Sequence, residues 1–537
     1  MTGAIILAAS IVFFVAGYRF WGNRVAGWLG VDPDRPTPAH TRTDGVDYVP
    51  TRPSVLLGHH FSSIAGAAPI IGPIAAASYG WTAVLVWILL GGVFMGAVHD
   101  FSALIISVRH EGRGLGSVLE ERVGRSMKSL FLLFIFSALI LVISVFTNAV
   151  AQTFVSVPET ATASTLFIAL AVVFGLSVYR WNLPFVPATI AGVALLAGCM
   201  VFGYNMPLRL SFNTWRFLLI GYIFFASTLP VQYLLQPRDF LNSFILYAML
   251  AVLVAGILVA NPEFRMPAAP AWQTAKGPLF PLLFVTVACG ALSGFHSLVA
   301  SGTTSKQLDN ERHAQPIGFG GMLIESLLAV AALITAAVLS SSEYGKAAGN
   351  PIGLFSSSAA RITESIGLPV RFGTLFMSLS VAAFAMTSLD TATRLGRYAI
   401  QELFESPNPT PARRMLSNRY SATGITVAVA SLLVFSGSAT EIWPIFGAAN
   451  QLVAALAFLT ISLWLVFIRK PSLFALIPGI FIYAVTMAAL AWNIYDFGRK
   501  EKYILVTISA FLMSLALILG VTGVRSLTRA HRSKAAS

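Results

Sequence analysis

Two adjacent histidines stand just ahead of a stretch broken by glycine and proline. Gly58-His59-His60-Phe61 runs into Gly66-Ala67-Ala68-Pro69 and on to Gly72-Pro73. Imidazole titrates near neutrality, so such a pair can exchange protons or hold a carboxylate. Proline lacks the amide N–H and its ring collides with the preceding turn, so no regular helix passes Pro69 and Pro73 undisturbed. Backbone freed inside a bilayer survives only against protein or a wet cavity. The amides around Gly66 and Ala67, heading a half-helix near Pro69, would suit an anionic group such as a carboxylate. A weaker echo lies downstream, where Phe295-His296 leads to Gly302-Thr303-Thr304, with a glycine six residues after the histidine in both copies. Thr303 and Thr304 add hydroxyls there. The structural alternative is a pair of interfacial histidine caps beside proline kinks and close helix packing.

Three acids lie in apolar surroundings: Asp100 after His99, Glu325 in Leu323-Ile324-Glu325-Ser326, and Asp390 in Ser388-Leu389-Asp390-Thr391. A buried carboxylate needs a partner or a proton. Glu325 has no basic neighbour in sequence and is the better proton carrier, whereas Asp390 could pair with Arg394 one helical turn away. Asn450-Gln451 is a polar pair in an apolar run, able to touch substrate or to join helices. Glu111-Gly112-Arg113 and Gln236-Pro237-Arg238-Asp239 read as loop turns and gates. His59, His60, His99 and His296 could together hold a metal or haem, although ligands at recognised short spacings are missing.

The elements that must position these groups are membrane helices. Of 537 residues, 56% are hydrophobic and only 11% charged, against roughly 25% charged in soluble domains. Period-two alternation is absent, which argues against a β-barrel. Apolar windows predict about 15 spans, near 3–18, 62–79, 82–106, 128–150, 163–179, 185–203, 215–232, 240–260, 279–300, 318–340, 370–390, 424–438, 442–467, 472–493 and 502–522. The run Ala4 to Gly17 lacks a preceding basic region and is read as a retained span, not a leader. A weaker apolar piece at 351–360 reads as re-entrant or interfacial, and the proline-rich 31–54 as an extended loop.

The net charge of +13 belongs to loops, so it reports topology and not a nucleic-acid partner. Threading the spans puts Arg109 to Lys128, Arg394 to Arg419, Arg469-Lys470 and Arg525 to Lys534 on one side. That side is the expected cytoplasm, with the N-terminus outside and the C-terminus inside. Arg499 to Lys502 falls on the wrong side. Cys199 and Cys289 are unpaired core residues with no disulfide framework. The two histidine stretches lie seven spans apart in this count, so the second copy enters with opposite orientation. Inverted repeats with broken helices mark secondary transporters.

Taken together, Thr43 to Pro50, Gly58-His59-His60-Phe61 with Ile64 to Pro69, Gly96 to Phe101, Gln236 to Asp239, Gly294 to Thr304, Glu325-Ser326, Asp390 to Arg394 and Phe446 to Gln451 resemble the carbon starvation A (CstA) family of bacterial transporters. The resemblance covers about residues 40–460 of a single membrane domain, 1–537. Additional C-terminal spans at 470–522 and a cytoplasmic tail at 523–537 follow. It implies an all-α inner-membrane permease of the amino acid–polyamine–organocation (APC) type, with a LeuT-like inverted-repeat core. It also implies proton-coupled uptake of peptides, or in some members pyruvate, during nutrient limitation.

The expected substrate site comprises His59, His60, Gly66, Ala67, Pro69, His296, Gly302, Thr303, Thr304 and Asn450. Asp100, Glu325 and Asp390 form the proton path, and no cofactor is required. Partners are the bilayer and a small carboxylate-bearing nutrient, and the oligomeric state is left open. No HExxH, GxSxG or GxxxxGK[ST] motif points to an enzyme. The alternatives are a haem or metal redox protein built on the histidines, and a nutrient sensor that does not transport.

Overall fold

Long runs of Leu, Ile, Val, Ala and Phe can cross lipid only as helices, which satisfy their own backbone groups. The computed structural model describes residues 2–45, 47–230, 233–406, 408–436 and 442–536. Among these, eleven helices are long and apolar enough to cross a membrane, or twelve if the bent pair Pro53–Ala65 and Ala68–Tyr79 makes one span. The other expected spans differ for physical reasons. The 62–79 segment bends by 41° at a break, and 279–300 is interrupted at 287–293. Phe212–Thr228 and Arg419–Phe435 have 17 residues each, about 26 Å at the helical rise against a hydrocarbon core of about 30 Å. The expected ends at 231–232 and 437–438, Val46 in the Thr43–Pro50 stretch and Ser537 lie outside the described residues.

Ten helical segments carry the polar groups of interest. They are α1 (Pro53–Ala65), α2 (Ala68–Ala76), α3 (Trp81–Arg109), α4 (Phe212–Thr228), α5 (Leu235–Ala260), α6 (Leu279–Thr286), α7 (Gly294–Val299), α8 (Glu311–Ala337), α9 (Val370–Phe404) and α10 (Trp443–Phe467). The first broken helix is α1 then α2; the second is α6 then α7. α1 packs on α7, and α2 packs on α6. First half meets second half in both contacts, so the two broken helices run antiparallel.

Close approach fixes several glycines. A Cβ on Gly72 would lie 2.7 Å from the Thr286 carbonyl oxygen, and one on Gly294 would lie 2.2 Å from the Asn450 carbonyl oxygen. Backbone atoms cannot yield as flexible side chains do, so α7 sits on α10 only because residue 294 has no side chain.

The two ends of the bundle differ. At one end, the 261–278 segment crosses the helices as a strap. Gly3 N–H donates to the Pro262 carbonyl (2.7 Å), and the Arg265 and Met266 amides both donate to the Ala337 carbonyl (2.9 and 3.0 Å). At the other end, Glu311 accepts from Arg109 Nε and Nη2 at 2.6 and 2.8 Å and from the Asp32 amide at 2.9 Å. These bonds lace the 31–54 segment across that face. The segment is not wholly extended, since Pro38–Thr41 makes one helical turn.

Arg125 reaches the Glu405 carbonyl at this second end, and Lys470 lies beside Gly30. Three of the expected basic stretches therefore gather there. Arg525, of the fourth, is near the end of the returning last helix. Trp492 packs beside Gly277 of the strap, so the nearby Arg499 to Lys502 cluster stays at the opposite end, as threading put it. The weak apolar piece at 351–360 lies in the helix Pro351–Thr363, with Ile352, Leu354 and Phe355 buried.

Gly294→Ala should lower the thermal stability of the detergent-solubilised protein by an amount typical of overpacking, about 1–3 kcal/mol. Gly345→Ala, inside the helix Ser341–Ala347 where a Cβ meets nothing within 4 Å, should keep or slightly raise the melting temperature.

Candidate functional site

The first break is made by Gly66, whose φ of 47° and ψ of −164° suit a residue without Cβ. Pro69 falls in the first turn of α2, where its missing N–H costs nothing. The second break is held from outside. Gln451 Nε2 donates to the Phe284 carbonyl (2.7 Å) near the end of α6, while Asn450 Oδ1 accepts the Phe295 amide (2.9 Å) at the start of α7. Asn450 Nδ2 also donates to Ser293 Oγ (3.0 Å). The Asn-Gln pair thus secures both stumps, and Asn450 spends its capacity on the chain itself.

The two histidine stretches meet, because His60 Nδ1 lies 2.9 Å from Thr304 Oγ1. They do not meet as two unwound copies. Ala300–Thr304 is a π-helical turn continuous with α7, and the helix runs on to Gln307. Hydroxyls bond back along it, Ser301 to the Ser297 carbonyl (2.7 Å) and Thr303 to that of Val299 (3.0 Å). Gly302-Thr303-Thr304 is therefore not an interruption; the interruption precedes His296. His60 lies before its break and His296 after its own, so the shared histidine–glycine spacing is not a repeat correspondence.

Two buried polar networks flank this contact. In the first, Asp100 of α3 accepts from His99 Nδ1 and from His296 Nδ1, each at 2.8 Å, and His296 Nε2 faces Glu325 Oε2 of α8 at 3.3 Å. All four side chains are fully buried. In the second, His59 Nδ1 donates to Asp239 Oδ2 (3.1 Å) on α5. Arg238 donates to Asp390 of α9 and to the Tyr222 hydroxyl of α4, and Tyr222 donates to Asp390 Oδ2 (2.6 Å). Thr387 accepts from Arg238 Nη2 at 3.0 Å.

Asp390 consequently pairs with Arg238 and not with Arg394, whose Nη2 donates to the Ala226 and Leu229 carbonyls. Gln236 to Asp239 is no loop gate, since it forms the first turn of α5 with Arg238 and Asp239 buried. Glu111 and Gly112 do form a tight turn, with φ of 61° and 74°. The four histidines do not converge on one ion. His59 and His60 have separate partners, while His99 and His296 are joined through Asp100.

A cavity of about 620 Å³ opens at the end opposite the strap, lined among others by Arg42, Tyr48, Glu120, Gly302, Lys306 and Glu402. A narrower pocket shares Gly302, Lys306 and Tyr398 with it and reaches His59 and Thr303. Gly66, Ala67 and Pro69 are buried and are not among the residues lining either space. Sequence reasoning missed Tyr222 and Asp239 as partners, and treated Cys289 as plain core. Only the Arg238-Asp239 pair gave a signal, two charges directly ahead of an apolar run.

Asn450→Ala should leave the Phe295 amide unpartnered and cost about 1–3 kcal/mol, read as a lower melting temperature. Asn450→Ser in the same assay should fare no better, because its hydroxyl is too short to reach.

The family described as "Carbon starvation protein CstA" matches residues 2–372 and 346–489. The Campylobacter jejuni peptide transporter CstA is 32% identical over 93% of this chain and 81% of its own length. The Bacillus subtilis peptide transporter CstA is 31% identical over 98% and 97%. The Escherichia coli pyruvate/proton symporter BtsT is 30% identical over 91% and 81%. Among solved structures, an Eremococcus coleocola manganese transporter superposes with a TM-score of 0.56 at 10% identity, over 91% of this chain and 99% of that one. That last likeness concerns the fold alone.

Proposed function

The chain belongs to the carbon starvation protein CstA family, and on that premise we propose that it is a proton-coupled importer of a small carboxylate-bearing nutrient, a short peptide or pyruvate, in a bacterial cytoplasmic membrane. The relatives named as peptide transporters and as a pyruvate/proton symporter support both substrate classes.

One observation carries the coupling. Each buried network holds more carboxylates than permanent cations: Asp239 and Asp390 against Arg238, and Asp100 and Glu325 against none. Buried charge must be paired or neutralised. A further carboxylate arriving from a substrate therefore needs an accompanying proton, and Asp390, Asp100 and Glu325 are the groups to take it.

The substrate path in this proposal enters the site between the broken helices. His59, His60 and His296 line or gate it together with Gly66, Ala67, Pro69, Gly302, Thr303 and Thr304. Asn450 acts by holding the second break. Counting the two broken and two short helices gives fifteen membrane segments around a LeuT-like inverted core, which the antiparallel packing of the broken helices supports. The basic stretches at the cavity end support a cytoplasmic assignment for that end, with the N-terminus outside and the C-terminus inside. Transport needs no resident cofactor here. A haem or redox centre on the four histidines has no support from their separate hydrogen bonds.

In proteoliposomes, labelled pyruvate or dipeptide should accumulate only under an inward proton gradient; no uptake of either would sink the proposal. Asp390→Asn should retain counterflow exchange while gradient-driven accumulation falls about 5- to 150-fold, the usual span of coupling free energies.

A further inference from the structure

Three donors of different chemistry converge at the second break. Cys289 lies in the interruption, His296 near the start of α7, and Glu325 on α8. Their ligand atoms all fall within 4.8 Å of one another, and all three residues are buried. His296 Nε2 and both Glu325 carboxylate oxygens have no hydrogen-bond partner. The 3.3 Å between Nε2 and Oε2 is a contact without hydrogen-bond alignment. Buried polar atoms left this way are exceptions that call for an explanation such as an ion or a water.

The far side of the imidazole is already arranged. His296 Nδ1 donates to Asp100 Oδ2 at 2.8 Å. A carboxylate on one ring nitrogen fixes the tautomer and directs the other nitrogen's lone pair outward, the usual support for a metal-binding histidine. Cys289 Sγ lies 3.4 Å from Asn450 Nδ2 and 3.5 Å from Ser293 Oγ, so the clamp that holds the break also orients the sulfur.

We propose that Cys289, His296 and Glu325 bind one transition-metal cation of the Zn²⁺ or Co²⁺ kind, with a coordination position left open. A mixed S, N and O set suits these borderline ions, whereas Ca²⁺ and Mg²⁺ take oxygen ligands. Bonds of about 2.0–2.3 Å place tetrahedral ligands about 3.5 Å apart, so atoms now within 4.8 Å of one another have to close by at most about 1.3 Å on loading. Binding deprotonates the thiol, and its proton leaves to solvent. The site shares His296 and Glu325 with the transport proposal, so a bound cation would compete with a proton there, and its binding is testable without substrate.

The test is Co²⁺ titration of the purified full-length chain in detergent. One equivalent should produce a near-ultraviolet thiolate-to-cobalt band, reversed by Zn²⁺. The sequence has two cysteines, so Cys199→Ser should keep the band and Cys289→Ser should lose it. If Cys289→Ser does not fold, retention in Cys199→Ser still identifies the sulfur. Asp100→Asn leaves all three ligands and should weaken Co²⁺ binding about 10- to 100-fold, as outer-shell changes do. No band in the unaltered protein, or a band lost in Cys199→Ser, overturns the proposal.

Discussion

Inside a bilayer a peptide group without a hydrogen bond has no water to turn to, and this constraint organises the molecule. An unbroken helix meets it automatically. Where the chain is interrupted, at Gly66-Ala67 and at 287–293, something else must supply the bonds. Asn450 and Gln451 do so for the second interruption, from a helix that is mostly apolar. Close backbone contact of Gly72 with Thr286 and of Gly294 with Asn450 packs both stumps of the second break. The second break is thus held by defined groups, Asn450 and Gln451.

Those side chains come from helices far apart in sequence. Arg238, Tyr222 and Asp390 arrive on three helices, and His59 with Asp239 extends the set to the first broken helix. Asp100 joins two histidines nearly 200 positions apart. Removing one partner from such a set strands a buried charge, which costs far more than the pair itself contributes. The networks therefore specify which helices are neighbours, and in each of them carboxylates outnumber permanent cations.

Much of this was legible in the residues. Composition and apolar runs located the helices, because hydrocarbon solvent leaves few alternatives. Pro69 and Gly66 marked the first break through backbone sterics alone. The second was misplaced, since Gly302 with two threonines looks like a breaker, yet hydroxyls bonding back to carbonyls keep that stretch helical. The true interruption, Val287 to Ser293, contains no proline and signals itself only through Asn450 and Gln451 in a distant helix. Local spacing offered Arg394 as a possible partner for Asp390, but a buried carboxylate takes the cation that three-dimensional packing brings, here Arg238. That choice is invisible to any count of residues between them. Two spans were set too late along the chain, since the helices begin at Phe212 and Arg419 and stop at Thr228 and Phe435.

The hold of α10 on both stumps of the second broken helix has a mechanical corollary. Shear between those three pieces would strip two backbone groups, the Phe295 amide and the Phe284 carbonyl, of their bonds. A rocking motion needs its seam elsewhere. Side-chain polar contact between the two broken helices is thinnest where His60 touches Thr304, a single imidazole–hydroxyl contact that can part and re-form at little expense. Elsewhere the two broken helices meet through backbone and apolar packing, as where Gly72 sits against Thr286.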